Sequence, residues 1–129
     1  MAKEHALATF IGILAGAITY FFGGRTLAME TLITLMIIDY ISGVLAAMYL
    51  KELSSEIGFK GILKKVMMFF ICAVSYRFDV LIHANSALFT AIVVFYCCNE
   101  ALSIIENAIR LDLPIPEKLK AAIQSLKEE

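Results

Sequence analysis

Long polar stretches are what this chain has least of. Only 18% of its 129 residues are charged, 60% are hydrophobic, and mean hydropathy is +0.82. A soluble domain is ordinarily about 45–50% apolar. The excess is gathered into runs of 17 to 20 residues, the length that crosses a hydrocarbon core of roughly 30 Å. This excludes a soluble globule and leaves one small membrane domain. Chemistry-bearing residues are equally scarce. The two histidines, His5 and His83, are isolated. The three cysteines lie within apolar runs, and an odd number so placed makes no disulfide framework. Cys97 and Cys98 are adjacent, which turns them apart on a helix; with Cys72 they read as packing residues. Gly58-x-x-Gly61 lacks the strand and helix that a phosphate loop requires. With a net charge of −1, nothing points to nucleic acid. No catalytic residue, cofactor or metal is expected.

What is there is four apolar blocks and one polar interval. Residues 6–22 carry no ionisable side chain and read as a first span. A cleaved signal peptide is the rival, with Lys3 as its charged start and Ala15-Gly16-Ala17 as its cleavage site, but further spans follow. Ala8, Gly12 and Gly16 repeat every four residues, a small face that lets helices approach closely in lipid. Gly23-Gly24-Arg25 is a turn. Residues 31–50 form span 2, interrupted by Asp39 and offering Gly43 and Ala47 as a second small face. The polar interval, residues 51–65, carries Lys51, Lys60, Lys64 and Lys65. Residues 66–82 form span 3, with Arg77 and Asp79 near its end. Ser86 is the expected N-cap of span 4, residues 87–105, which contains Asn99 and Glu100. Pro114 and Pro116 stop the helix. In the tail, residues 111–129, Leu119, Ala122, Ile123 and Leu126 form one stripe of a short amphipathic helix, suited to resting on a membrane surface.

Span 3 is decided by counting Lys and Arg. If it crosses, nine of them lie with the N-terminus, the central interval and the tail, against Arg25 alone opposite. If it does not, the count is five against five. The positive-inside rule selects the first arrangement. The expectation is therefore an all-α membrane protein of four transmembrane helices, built as two hairpins (residues 1–110) with a cytoplasmic amphipathic tail. Both termini face the cytoplasm.

Charged residues inside spans are functional candidates because lipid-facing charge is costly. Asp39 falls roughly 12–18 Å from either surface and Arg77 roughly 17 Å from the cytoplasmic one, so the two are expected to pair. Glu100, with Asn99 beside it, has Lys64 and Lys65 as its best cationic neighbours. Asp79 is expected near the outer surface, in water.

These residues fall in a pattern that resembles a known family. The pieces are Asp39-Tyr40-Ile41-Ser42-Gly43, Ser55-x-x-Gly58-x-x-Gly61-x-x-Lys64-Lys65, Phe95-Tyr96-x-x-Asn99-Glu100-x-Leu102-Ser103-Ile104-x-Glu106-Asn107, and Leu113-Pro114-Ile115-Pro116. In order and spacing they resemble the phage holins of the toxin secretion/phage lysis group (phi29-type, including the clostridial toxin-release holin). Asp112 departs from the pattern, standing where a glycine is expected. The resemblance implies a protein that gathers with copies of itself in the bacterial inner membrane and opens large holes. Its partners would be membrane lipid, other copies, and an endolysin or toxin that leaves through the hole. On this reading Asp39, Arg77, Asn99 and Glu100 hold the closed bundle together and later line the hole. A small ion or proton channel, or a transporter subunit, would use the same charges as a relay. A structural membrane partner would form no pore.

Overall fold

The computed structural model describes residues 1–128; Glu129 and the Lys127 side chain, both assigned to the tail, lie outside the described residues. The described residues form five helices and no strand: α1 (Ala2–Phe22), α2 (Leu27–Tyr49), α3 (Ser55–Ile82), α4 (Ala87–Arg110) and α5 (Glu117–Glu128).

The helix ends follow from local chemistry. Gly23 ends α1 in the left-handed conformation, with φ of 76°. A Cβ there would stand 2.6 Å from the ring of Tyr76, so both the dihedral and the close approach require glycine. The Thr26 hydroxyl accepts from the Met29 backbone N–H and starts α2, and the Ser54 hydroxyl does the same for Ile57 at the start of α3. That cap revises the polar interval. Residues 55–65 belong to a helix rather than a loop, because the run has a cap and no proline.

Three helices, α1, α2 and α4, are long and apolar enough to cross a membrane. The expected four spans are corrected to three helices apolar enough to cross by themselves. α3 is the longest helix, at 28 residues, but Lys60, Lys64, Lys65, Arg77 and Asp79 all lie within it. Charge of that density offsets the contribution of its apolar residues.

The pairing of helices also differs from two side-by-side hairpins. α4 packs most extensively on α2 and next on α3, while α1 packs only against α3. Contacts place α2 and α4 parallel: Met29 and Phe89 share one core, Asn107 bonds Asp39, and Tyr49 bonds Asp112. α3 returns the chain antiparallel to both. Its contact with α1 runs through the Phe22–Phe69 ring pair, and Arg77 lies 4.2 Å from the centroid of the Tyr20 ring. No residue of α1 is buried.

The packed faces are legible as spacing. On α2 the inward residues are Met29, Leu32, Met36, Asp39, Gly43 and Ala46. On α4 they are Phe89, Val93, Tyr96, Glu100, Ser103 and Asn107, and on α3 Lys65, Met68, Cys72, Ser75 and Asp79. Steps alternate between three and four residues throughout, the period that keeps one stripe on a neighbouring helix. At one end of the bundle the stripes of α2 and α4 are apolar: Met29, Leu32, Met36, Phe89 and Val93 form the core with Cys72 of α3. At the other end they turn polar, and the site lies there.

Candidate functional site

Below the core, one lysine joins three helices. The Lys65 ammonium of α3 donates to Asp39 Oδ2 of α2 at 2.8 Å and to Glu100 Oε2 of α4 at 2.5 Å. Glu100 is buried, and Asp39 and Lys65 are largely so. Asn107, one α4 repeat beyond Glu100, uses its amide to reach Asp39 Oδ1 at 3.1 Å, the Asp39 carbonyl at 3.2 Å and the Ser42 hydroxyl at 2.9 Å. The Ser42 hydroxyl in turn donates to the Asp39 carbonyl. Two carboxylates facing one ammonium leave a formal excess of one negative charge, and the Asn107 donor eases it. No buried side-chain polar atom among the described residues lacks a partner. Such clusters contribute little net stability when whole, but removing one partner of a buried pair costs about 3–5 kcal/mol.

The expected Asp39–Arg77 pair is not formed. Lys65 lies closer to the depth of Asp39, because α3 starts earlier than expected and carries Lys65 a full helical turn or more above its first residues. Arg77 is exposed and lies over Tyr20 instead. Asn99 is half-buried beside Glu100 but makes no described side-chain hydrogen bond. Lys65 thus joins Asp39 and Glu100, while Arg77 and Asn99 stand apart. Lys51 and Lys60 are exposed, and Lys64 lines a cavity between α2 and α3. Of the small residues, Gly43 is used within the chain: a Cβ there would lie 3.5 Å from Asn107 Nδ2. Ala47 lines the same cavity as Lys64. Ala8, Gly12 and Gly16 are exposed, and nothing lies within 4 Å of a Cβ built on either glycine.

Asp79 corrects another expectation. It is only 2% exposed, not in outer water. Its carboxylate accepts from the backbone N–H groups of Leu88 at 3.1 Å and Phe89 at 2.6 Å, so it caps α4 from the neighbouring helix. Ser86, the expected cap, sits in the left-handed region with φ of 62° and makes no side-chain cap bond. Four unpaired N–H groups open every helix, and a full carboxylate serves them better than a hydroxyl aimed elsewhere. Lys65 meets Glu100, the acid it was expected to neighbour, while its bond to Asp39 and the part played by Asn107 were not foreseen. The signal was the spacing: Asn107 lies seven residues after Glu100, and Lys65 lies three before Met68 on the buried stripe of α3.

No metal-binding group of histidines, cysteines or carboxylates occurs among the described residues. The site is an ion cluster between helices, able to hold them together or to be wetted.

The chain is 42% identical over 115 residues to an uncharacterised protein of Listeria innocua, covering 88% of this chain and 82% of that one. It is 39% identical over 120 residues to an uncharacterised protein of Halalkalibacterium halodurans, with 89% of each covered. An uncharacterised 14.9 kDa protein of Clostridium perfringens is 38% identical over 112 residues, covering 86% of this chain and 85% of that one. No solved structure matches. Residues 16–128 match the model of the bacteriophage holin family, and with nearly the whole chain inside that match, the protein belongs to this family of membrane proteins.

Proposed function

We propose that the chain works as a holin: copies gather in the bacterial cytoplasmic membrane and open lesions wide enough for an endolysin or a folded toxin. Family membership supplies the class. The observation that carries the mechanism is the buried Asp39–Lys65–Glu100 cluster with Asn107, set between helices whose outward faces are apolar. In a single copy these groups satisfy one another and present no charge to lipid. When copies crowd together, the same polar stripes provide a surface that water can wet, which apolar helices alone lack.

On this reading α3 is carried back through the membrane by its packing on α4 and α1, and the lysine-rich link between α2 and α3 and the α5 tail face the cytoplasm, as the Lys and Arg distribution then favours. α2 and α4 run parallel, so the link after α2 and the tail after α4 lie at the same end of the bundle. The short Gly23–Thr26 connection sends α1 back to that end, so the N-terminus joins them. A cysteine placed in the tail should therefore react with a membrane-permeant thiol reagent and resist a periplasm-restricted one.

The function is tested by expressing the chain in bacteria with a cell-wall hydrolase lacking its own export signal. Abrupt loss of turbidity, with release of a folded cytosolic reporter enzyme, is expected. Depolarisation without reporter release would instead favour an ion channel, and neither effect would favour a partner without a pore. Within the holin reading, Glu100→Gln removes one charge from the cluster and should shift the onset of lysis at equal protein level. Unchanged onset would remove the cluster from the mechanism.

A further inference from the structure

The two halves of α3 are held in different ways. Its C-terminal half is built into the bundle. Cys72, Ser75 and Asp79 are buried, Tyr76 packs edge-on against Phe89 with centroids 5.7 Å apart, and the Asp79 carboxylate holds two backbone N–H groups of α4. Its N-terminal half is not. Between Ser55 and Lys65 no residue is buried. A cavity of about 390 Å³ separates this half from α2 and α4, reaching from Ser54 and Ile57 to Lys65. On the other side of the same helices an apolar groove of about 360 Å³ runs from Ile33 to Ile41 on α2 and from Ile62 to Phe69 on α3. The short link of residues 50–54 ties its first residue to the end of α2, with Glu52 paired to Arg110 of α4 at 3.2 Å, and the Tyr40 hydroxyl approaches Gly58; within the helix itself, what fastens this half is the Lys65 ammonium, bonded to Asp39 and Glu100.

We infer that Lys65 is an electrostatic latch, and that α3 is hinged at its Asp79 end and swings its N-terminal half away from α2 and α4 when the latch opens. The buried contacts of α2 with α4 do not involve Lys65 and stay in place. Opening joins the cavity to the apolar groove and uncovers Asp39, Glu100 and Asn107 along one side of the molecule. In lipid, two carboxylates without their cation are costly, so the uncovered side is driven toward water or toward the same side of another copy. This deepens the holin reading and rests on it only for its consequence; the motion belongs to a single copy.

The test uses the full chain in detergent micelles, diluted to one copy per micelle, with Cys72, Cys97 and Cys98 replaced by alanine. Spin labels at Met48→Cys and Ile57→Cys, both exposed positions, report the gap between α2 and the N-terminal half of α3. Labels at Leu81→Cys and Leu88→Cys report the hinge end. Lys65→Met should lengthen and broaden the first distance and leave the second unchanged, while Lys65→Arg keeps both near those of the parent. If Lys65→Met does not fold, Asp39→Asn combined with Glu100→Gln opens the latch from the other side and should give the same lengthening. An unchanged Met48–Ile57 distance in the variant that folds overturns the latch, and movement of the Leu81–Leu88 pair overturns the hinge. A lengthened gap in a chain that never lyses cells would leave the latch standing and remove the holin reading.

Discussion

Asp79 and Asp112 are ordinary aspartates in the sequence and specialised ones in the fold. Asp79 accepts two backbone hydrogen bonds in a buried position. Asp79→Ala strands both donors and should cost about 1–3 kcal/mol, read as a lower midpoint in denaturant titration of the purified protein, with Asp79→Asn losing less. Asp112 takes φ of 62° and accepts from the Tyr49 hydroxyl at 3.1 Å. A non-glycine residue in that region is disfavoured by roughly 1–2 kcal/mol, aspartate less than most. The turn therefore has the backbone a glycine would take, and the carboxylate adds a tether from the end of α2 to the end of α4. Asp112→Gly should leave the unfolding midpoint near its parent value, because relief of strain offsets the lost bond. Asp112→Ala keeps the strain and loses the bond, and should destabilise by about 1–2 kcal/mol. At this scale the residue types and one partnership, Glu100 with Lys65, were readable, but not the partners of Asp39 and Arg77. The charges of Asp39, Arg77 and Glu100 were evident, yet which cation met which acid depended on where α3 begins, and that is set by the Ser54 cap.

The helices divide into those whose packed face is filled and one whose face is not. α2, α3 and α4 alternate inward residues in steps of three and four, as buried stripes that keep the helical period must. α1 shows no stripe because it buries nothing; its apolar residues run all round, and its small face meets no atom of its own chain. Gly12→Leu and Gly16→Leu should therefore leave the unfolding midpoint of the single chain within about 0.5 kcal/mol of the parent. The same changes should weaken chemical cross-linking between copies in membranes if that face meets a second helix there. Equal cross-linking would assign α1 to lipid alone. α3 is the element that sequence misjudged twice, as part loop and as a span apolar enough to cross by itself. Its lysines suggested a solvated link, while in the fold Lys65 sits at the inner edge of a continuous helix that only its neighbours make tolerable.

For the molecule as a whole, length, apolar runs and the order of small motifs were enough to indicate an all-helical membrane protein and its family, since both depend on composition and spacing rather than on contacts. The close packing of α2 on α4 depends on contacts between residues sixty or more apart, and that of α1 on α3 alone on contacts between residues about fifty apart, and neither was readable in that way. The molecule that results is largely apolar outside along α1, α2 and α4 and charged along one internal seam. Its proposed work requires that many copies trade this seam for a wet, wide opening, and the width is what separates a lesion from an ion path. The direct measurement is release from sealed vesicles holding both a small dye and a folded enzyme, after the purified chain is added at rising density. Loss of dye and enzyme together above a threshold density is the expected result; loss of dye with the enzyme fully retained at every density would contradict the proposed function.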